Sequence, residues 1–297
     1  MNTWLLLAGA AAPCAVLCAI INYLWSKSDQ DMLDTYVKSS SEFSFVTSRG
    51  NRLAVRTVRP PAGVRVRPNS IFIPNGMATT MVMIGQLQDK LAAAGFVSVA
   101  FDRYGCGFSD SNKEGKSPTV NETLQDMRAV YDACFPAVNH EAGERGRVIL
   151  HGPSMGSIVG QCFVAAYPGL VSGFMNIDGV AHPFFKKRFL FEKMFGNIYT
   201  VEAFMARFGI FRPFLALARK KVAFIASDGV PLKVILAQLN QRKFWLNVSY
   251  EMKLMMDLCK YVRSDAWFDA LLAHVASMWG YVFAGMPAMR GDLRLVW

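Results

Sequence analysis

The feature that most limits how this chain can fold is "RVILHGPSMGSIVGQCFVAAYPG", in which Ser154 stands inside Gly152-Pro153-Ser154-Met155-Gly156. An apolar run precedes these five residues and small helix formers follow them, so the pattern reads as strand, sharp turn, helix. Glycines two positions before and two after the serine keep the turn free of bulk, as a serine in a strained strand-to-helix turn requires. A helix that begins there aims its first free amides at the serine and favours an anion beside it. The five-residue pattern alone is frequent by chance. Its weight comes from the strand before it and the helix after it.

The flanking sequence supplies the rest of a sheet. "EFSFVTS" and "RLAVRTV" alternate and are separated by Arg49-Gly50-Asn51, which predicts an antiparallel hairpin. Next come "SIFIPNG" as a strand, "MVMIGQLQDKLAAAG" as a helix, "FVSVAFDRYG" as a strand and "TVNETLQDMRAVYDACFPAV" as a helix. "VSGFMNIDG" is a further strand after the Ser154 helix. Strand-helix alternation with continuous apolar strands predicts an α/β fold whose mostly parallel sheet has helices on both faces, entered through the hairpin. From about residue 182 the periodicity is helical almost to the end, as expected of a lid inserted over the C-terminal edge of the sheet.

Composition adds a membrane and a charge argument. The 297 residues are 53% apolar, above the usual 45 to 50% or so of soluble proteins. Part of the excess is "WLLLAGAAAPCAVLCAIINYLW", Trp4 to Trp25, which carries no charge; roughly 20 apolar residues suffice to span a bilayer. No Lys or Arg precedes this run, which favours an uncleaved single-pass anchor over a secretory signal. Residues 26–40 then read as a polar linker, 41–181 as the α/β core and 182–297 as the lid with the C-terminal remainder of the core. The net charge is +10. Residues 182–263 hold 15 of the 32 Lys and Arg but only 5 of the 22 Asp and Glu, leaving 17 of each elsewhere. There the basic residues are interleaved with Phe, Leu, Ile and Met, as in "FFKKRFLFEKMFGNIYTVEAFMARFGIFRPFLALARKK". That mixture fits an anionic lipid surface better than a groove that tracks phosphates, so no nucleic-acid partner is expected. A solvated basic face on a helical subdomain is the alternative. Of six cysteines, Cys14 and Cys18 lie in the anchor and the others lack metal-ligand spacing, so neither a metal nor a cofactor is expected.

Three motifs in order resemble the α/β-hydrolase fold superfamily over roughly residues 42 to 182. Besides the Ser154 turn, "FIPNGMATT" resembles the oxyanion loop after the third strand, with Asn75-Gly76 where His-Gly is commoner. "FDRYGCGFSD" is similar to the Asp-x-x-Gly-x-Gly-x-Ser segment after the next strand, on Asp102, Gly105, Gly107 and Ser109. The resemblance implies a helical lid, a nucleophile at Ser154, oxyanion amides at Met77 and Met155, and bracing roles for Asp102 and Ser109. A serine in that turn implies an acyl-enzyme; dehalogenases and epoxide hydrolases of this fold use aspartate there.

The family order of Ser, then acid, then His leaves the partners of Ser154 less marked. Asp178 follows the strand after the Ser154 helix, a position some members use for the acid, while Asp292 in "MPAMRGDLRLVW" resembles a Gly-Asp turn that often carries it. If Asp292 is that acid, the chain lacks the last strands and their histidine. Of His140, His151, His182 and His274, the resemblance gives His140 no role, and His151 suits loop bracing. His182 suits the pocket mouth, and His274, in an apolar helix, is the substitute base; a core histidine is its bland counterpart. The expected function is a membrane-anchored serine hydrolase of carboxylic esters with lipid or other hydrophobic acyl groups, using Ser154, Asp178 and His274. The alternative is a catalytically weak α/β-hydrolase-fold protein that binds lipid or a protein partner.

Overall fold

The computed structural model describes residues 3–139, 147–177, 201, 204–206, 208–227 and 229–262; the side chains of 3–12, 14, 15, 136–139, 211, 221 and 259–262 lie outside that description. Strands β1 (Phe43–Ser48) and β2 (Asn51–Val58) form the expected hairpin, with Ser48 opposite Asn51. The turn is Arg49-Gly50, both at positive φ, 51° and 75°. A type I′ turn needs that backbone and usually takes Asn or Gly. Arg49 is instead held through its side chain: Nε and Nη2 donate to the two oxygens of Asp126 at 2.9 Å each, and Nη1 lies 3.1 Å from Glu122.

The remaining strands are β3 (Ser70–Pro74), β4 (Ser98–Phe101), β5 (Val148–Pro153) and β6 (Val171–Ile177). Their order is β1-β2-β4-β3-β5-β6; β2 is antiparallel to both neighbours, and the pairs β4–β3, β3–β5 and β5–β6 are parallel. The sheet is thus mixed and mostly parallel, entered through an antiparallel hairpin. Helices α2 (Gly85–Ala93), α3 (Val120–Asn139) and α4 (Met155–Ala166) are its crossovers.

Alternation along the strands divides the core. Leu53, Val55, Phe72, Val99, Phe101, Val148 and Leu150 pack with residues of α3 and α4 such as Met127, Phe135 and Phe163. Ala54, Ile71, Ile73 and Ala100 point the other way, toward Met81 and the α2 residues Leu87 and Leu91. Both faces of β3 are buried, which is why its sequence is continuously apolar.

Among the described residues after β6 the regular elements are helical: α5 (Phe211–Val222), α6 (Leu232–Leu239) and α7 (Arg242–Val262). Helix α7 is part of the body rather than a cover, since Met252, Leu254, Met255 and Leu258 join the cluster around Phe72 and Phe163. The first helix, α1 (Thr3–Ser39), changes the reading of residues 26–40: instead of a linker, 26–39 continue the helix. Leu33 is 2% exposed and, with Met32 and Tyr36, packs against Val230, Val234 and Ile235. Spacings of three and four residues put Met32, Leu33 and Tyr36 on one side of a helix, so this polar segment has an apolar stripe. Among the described residues no helix is long and apolar enough to cross a membrane. Most side chains of the first half of the Trp4–Trp25 run are outside the described set.

Candidate active site

β5 delivers Ser154 to the C-terminal edge of the sheet. The serine stands between the last residue of β5, Pro153, and the first of α4, Met155. Its backbone has φ 50° and ψ −122°, sparsely populated for a residue with a Cβ. The surroundings fix this conformation: the Ser154 amide donates to Ile177 O at 2.8 Å, and Ser154 O accepts from Ser157 N at 2.9 Å. The two glycines are demanded by contact. A Cβ on Gly152 would fall 2.7 Å from Ser157 Cα, and one on Gly156 would fall 2.0 Å from Pro74 O. Only bare backbone lets α4 start this close to β3 and β5. Ser154 itself is exposed.

The loop after β3 packs directly on this turn. A Cβ on Gly76 would meet Pro153 O at 3.3 Å and Ser154 Cβ at 3.6 Å. Met77 follows Gly76 and is partly buried against the main core, while Met155 is 1% exposed and opens α4. Being first in its helix, Met155 contributes one of the N–H groups that have no partner within the helix. Ser154, the loop of Met77 and the amide end of α4 are therefore brought together.

Behind the loop, Asp102 is fully buried and links two connections: Oδ1 accepts from Met81 N at 2.7 Å and Oδ2 from Phe108 N at 2.9 Å. Burial pushes its carboxyl above the ordinary aspartate range, against the pull of these amides. The Ser109 hydroxyl donates to Asp102 O and accepts from Ala54 N at 2.8 Å. Asn75, 1% exposed, donates through Nδ2 to Phe101 O at 3.0 Å. The same loop is touched by a buried ion pair, Arg103 with Glu251 of α7. Arg103 lies inside the motif "FDRYG", but its partner is 148 positions away. The available signal was an acid opening the otherwise apolar and basic stretch "EMKLMM".

Asp178 and His274 lie outside the described residues, as do His140, His182 and Asp292. What is described is the approach to Asp178: the preceding residue, Ile177, ends β6 and takes the Ser154 amide. His151 is half-buried on β5, and burial lowers its pKa. Its Nδ1 has no hydrogen-bond partner among the described residues. Cys106 and Cys162 are buried and not in disulfides. Among the described residues no group of three His, Cys, Asp or Glu could hold a metal ion.

The family model described as serine aminopeptidase, S33, matches residues 67–199. A crystal structure of a probable hydrolytic enzyme from Pseudomonas aeruginosa superposes with a TM-score of 0.50 and 15% identity, covering 72% of this chain and 66% of that one. An α/β hydrolase from Novosphingobium aromaticivorans gives 0.37 and 20% identity, covering 46% and 45%. A soluble variant of monoglyceride lipase from Saccharomyces cerevisiae gives 0.43 and 14%, covering 58% and 54%. The chain thus spans 66% of the first structure's length and about half of the other two. No curated protein matches by sequence. The fold is the α/β-hydrolase fold.

Proposed function

We propose that this α/β-hydrolase-fold chain is a serine hydrolase that cleaves carboxylic esters of hydrophobic, lipid-like acyl groups through an acyl-enzyme on Ser154. The observation that carries the proposal is the exposed Ser154 at φ 50°, wedged between glycines that admit no side chain and packed on the Gly76 loop. Strain of this kind persists where the surroundings over-determine it, and it holds a hydroxyl out toward a reactant. In the proposed reaction Ser154 Oγ attacks the acyl carbonyl as a base takes its proton. The amides of Met77 and Met155 hold the oxyanion. As the C–O bond to the alcohol breaks, the alcohol leaves with that proton, and water then attacks the acyl-enzyme and releases the acid. His274 is proposed as the base and Asp178 as its orienting acid. The matched family model is named for a serine peptidase, whose acyl-enzyme chemistry is shared with esterases; an amide substrate is therefore the nearest competing outcome.

The membrane part of the proposal rests on α1 and α5. Trp4–Trp25 is proposed as a single-pass anchor. Val16, Leu17, Ile20, Tyr23, Leu24 and Trp25 are exposed on α1, and Phe214 and Leu217 on α5. The two helices are tied together: Arg212 donates to Asn22 Oδ1 at 3.0 Å, pairs with Asp29 at 2.8 Å and lies over the Trp25 ring at 5.4 Å. Exposed apolar side chains beside Arg219 and Lys220 suit an anionic lipid surface, from which hydrophobic esters would be drawn.

A series of 4-nitrophenyl esters from acetate to decanoate tests the hydrolase. We expect kcat/KM to rise with acyl length and to fall about 10⁴-fold in Ser154→Ala. Turnover that survives Ser154→Ala contradicts the mechanism. Folded wild-type protein that turns over no ester returns the chain to the binding alternative.

A further inference from the structure

The loop that would supply the Met77 amide is held in shape from a distant helix. Arg103 and Glu251 are 6% and 4% exposed and form a buried ion pair, with Arg103 Nε donating to Glu251 Oε1 at 2.9 Å. The guanidinium also reaches the loop: Nη2 donates to Gly76 O at 2.8 Å, and Nη1 donates to Asn75 O. The carboxylate holds the loop's other end, its Oε2 accepting from Ala78 N at 2.9 Å. Met77 O, between them, accepts from the Thr79 hydroxyl at 3.2 Å. Three successive carbonyls, of Asn75, Gly76 and Met77, and the Ala78 N–H are therefore engaged. Among the described residues, the N–H groups of Gly76 and Met77 take no partner.

Ala78 shows that the pair does more than fill space. It has φ 55°, a conformation that costs a residue with a Cβ about 1 kcal/mol or more. Such a backbone is kept only where contacts on both sides require it, and here they come from the guanidinium before Met77 and the carboxylate after it. The remaining neighbours of Glu251 leave it little freedom. Cys106 Sγ lies 3.1 Å from its Oε1, and Asn247, one turn earlier on α7, donates to that sulfur at 2.7 Å.

We infer that Arg103 and Glu251 are positioning residues for the oxyanion site: the pair sets the turn at 75–78 so that the Met77 amide faces Ser154, and couples that geometry to the seating of α7. This rests on the proposed role of Ser154. A burial argument alone gives a different expectation, because a buried ion pair replaced by well-packed apolar side chains is often neutral for stability. Here the pair also partners three backbone groups of the loop, so its removal acts on stability and on reactivity, and the two are measured side by side.

The test uses the full chain and a small fluorophosphonate, whose addition to serine develops charge on an oxygen that the oxyanion donors would bind. Second-order labelling rates are measured for wild type, Ser154→Ala, Glu251→Gln and the double variant Arg103→Met/Glu251→Leu, with thermal unfolding of each. The double variant removes both charges together and guards against a misfolded single mutant. We expect it to stay folded at the assay temperature, with a lowered unfolding temperature because the carbonyls of Asn75 and Gly76 and the Ala78 N–H lose their partners, and to label at least about 10-fold more slowly, a fraction of the 10² to 10³ that loss of a whole oxyanion donor costs. For a soluble ester its kcat should fall while KM stays unchanged. A folded double variant that labels at the wild-type rate overturns the positioning role and leaves Ser154 intact as nucleophile. Folded wild type that does not label overturns the Ser154 reading, and the positioning role with it.

Discussion

Gly152 and Gly156 stand where a methyl group would strike backbone, and backbone cannot swing aside as a long side chain can. Gly156→Ala is accordingly expected to destabilise the protein by about 3 kcal/mol, at the upper end of ordinary overpacking costs, as read by urea unfolding. Gly169→Ala, where nothing lies within 4 Å of the added carbon, is the control and should change little. An equal effect at both sites would remove the contact argument. The spacing around Ser154 was legible because it is local: five residues carry the whole constraint. Glu251 was not legible for the opposite reason. Its partners Arg103 and Ala78 lie 148 and 173 positions away, and no periodicity in the chain records which buried acid meets which buried base.

At the scale of elements, strands and crossover helices were readable because each carries its own burial pattern, continuous in β3 and alternating in β5. Helix α3 also has a start signal, Thr119-x-x-Glu122. The two residues make a reciprocal cap: Glu122 Oε2 accepts from Thr119 N at 2.7 Å, and Thr119 Oγ1 accepts from Glu122 N at 3.2 Å. The Thr119 amide, with its hydroxyl and Arg49 adding to it, holds the Glu122 carboxyl below the ordinary glutamate range. A depressed carboxyl contributes stability that is complete above its unfolded pKa and is lost as pH falls through its folded one. Glu122→Gln should therefore cost about 1 kcal/mol at pH 7 and progressively less as the pH is lowered below about 4, measured by unfolding at each pH. A cost that does not change with pH would mean the carboxylate charge is irrelevant to the cap. The element the sequence misreported is the second half of α1. Its polar composition resembled a linker, whereas the few apolar residues at helical spacing were enough to dock it on α6.

For the whole molecule, that docking alters how the proposed anchor would work. A flexible linker would let the body tumble beside a membrane. A helix continuous from the apolar run to Ser39 and fastened to α5 through Arg212 would hold it in one orientation. Anionic vesicles should therefore bind the protein more strongly than neutral ones, and Phe214→Ser/Leu217→Ser should weaken the anionic increment, with salt weakening it as well. Flotation that is indifferent to lipid charge and to both substitutions would sever α5 from the membrane proposal. Helical periodicity over 182–297 was read as a lid with the C-terminal remainder of the core, and it carried no signal for which helix would do which; among the described residues α7 lies in the core.

The proposed activity depends on Ser154 being an activated nucleophile. The most direct measurement is the mass of the peptide carrying Ser154 after the folded full-length protein has been treated with a fluorophosphonate and digested. This peptide is expected to gain the phosphonyl group, with fragmentation placing it on Ser154, and Ser154→Ala is expected to abolish the adduct. A folded wild-type protein whose Ser154 peptide stays unmodified would contradict the proposed activity.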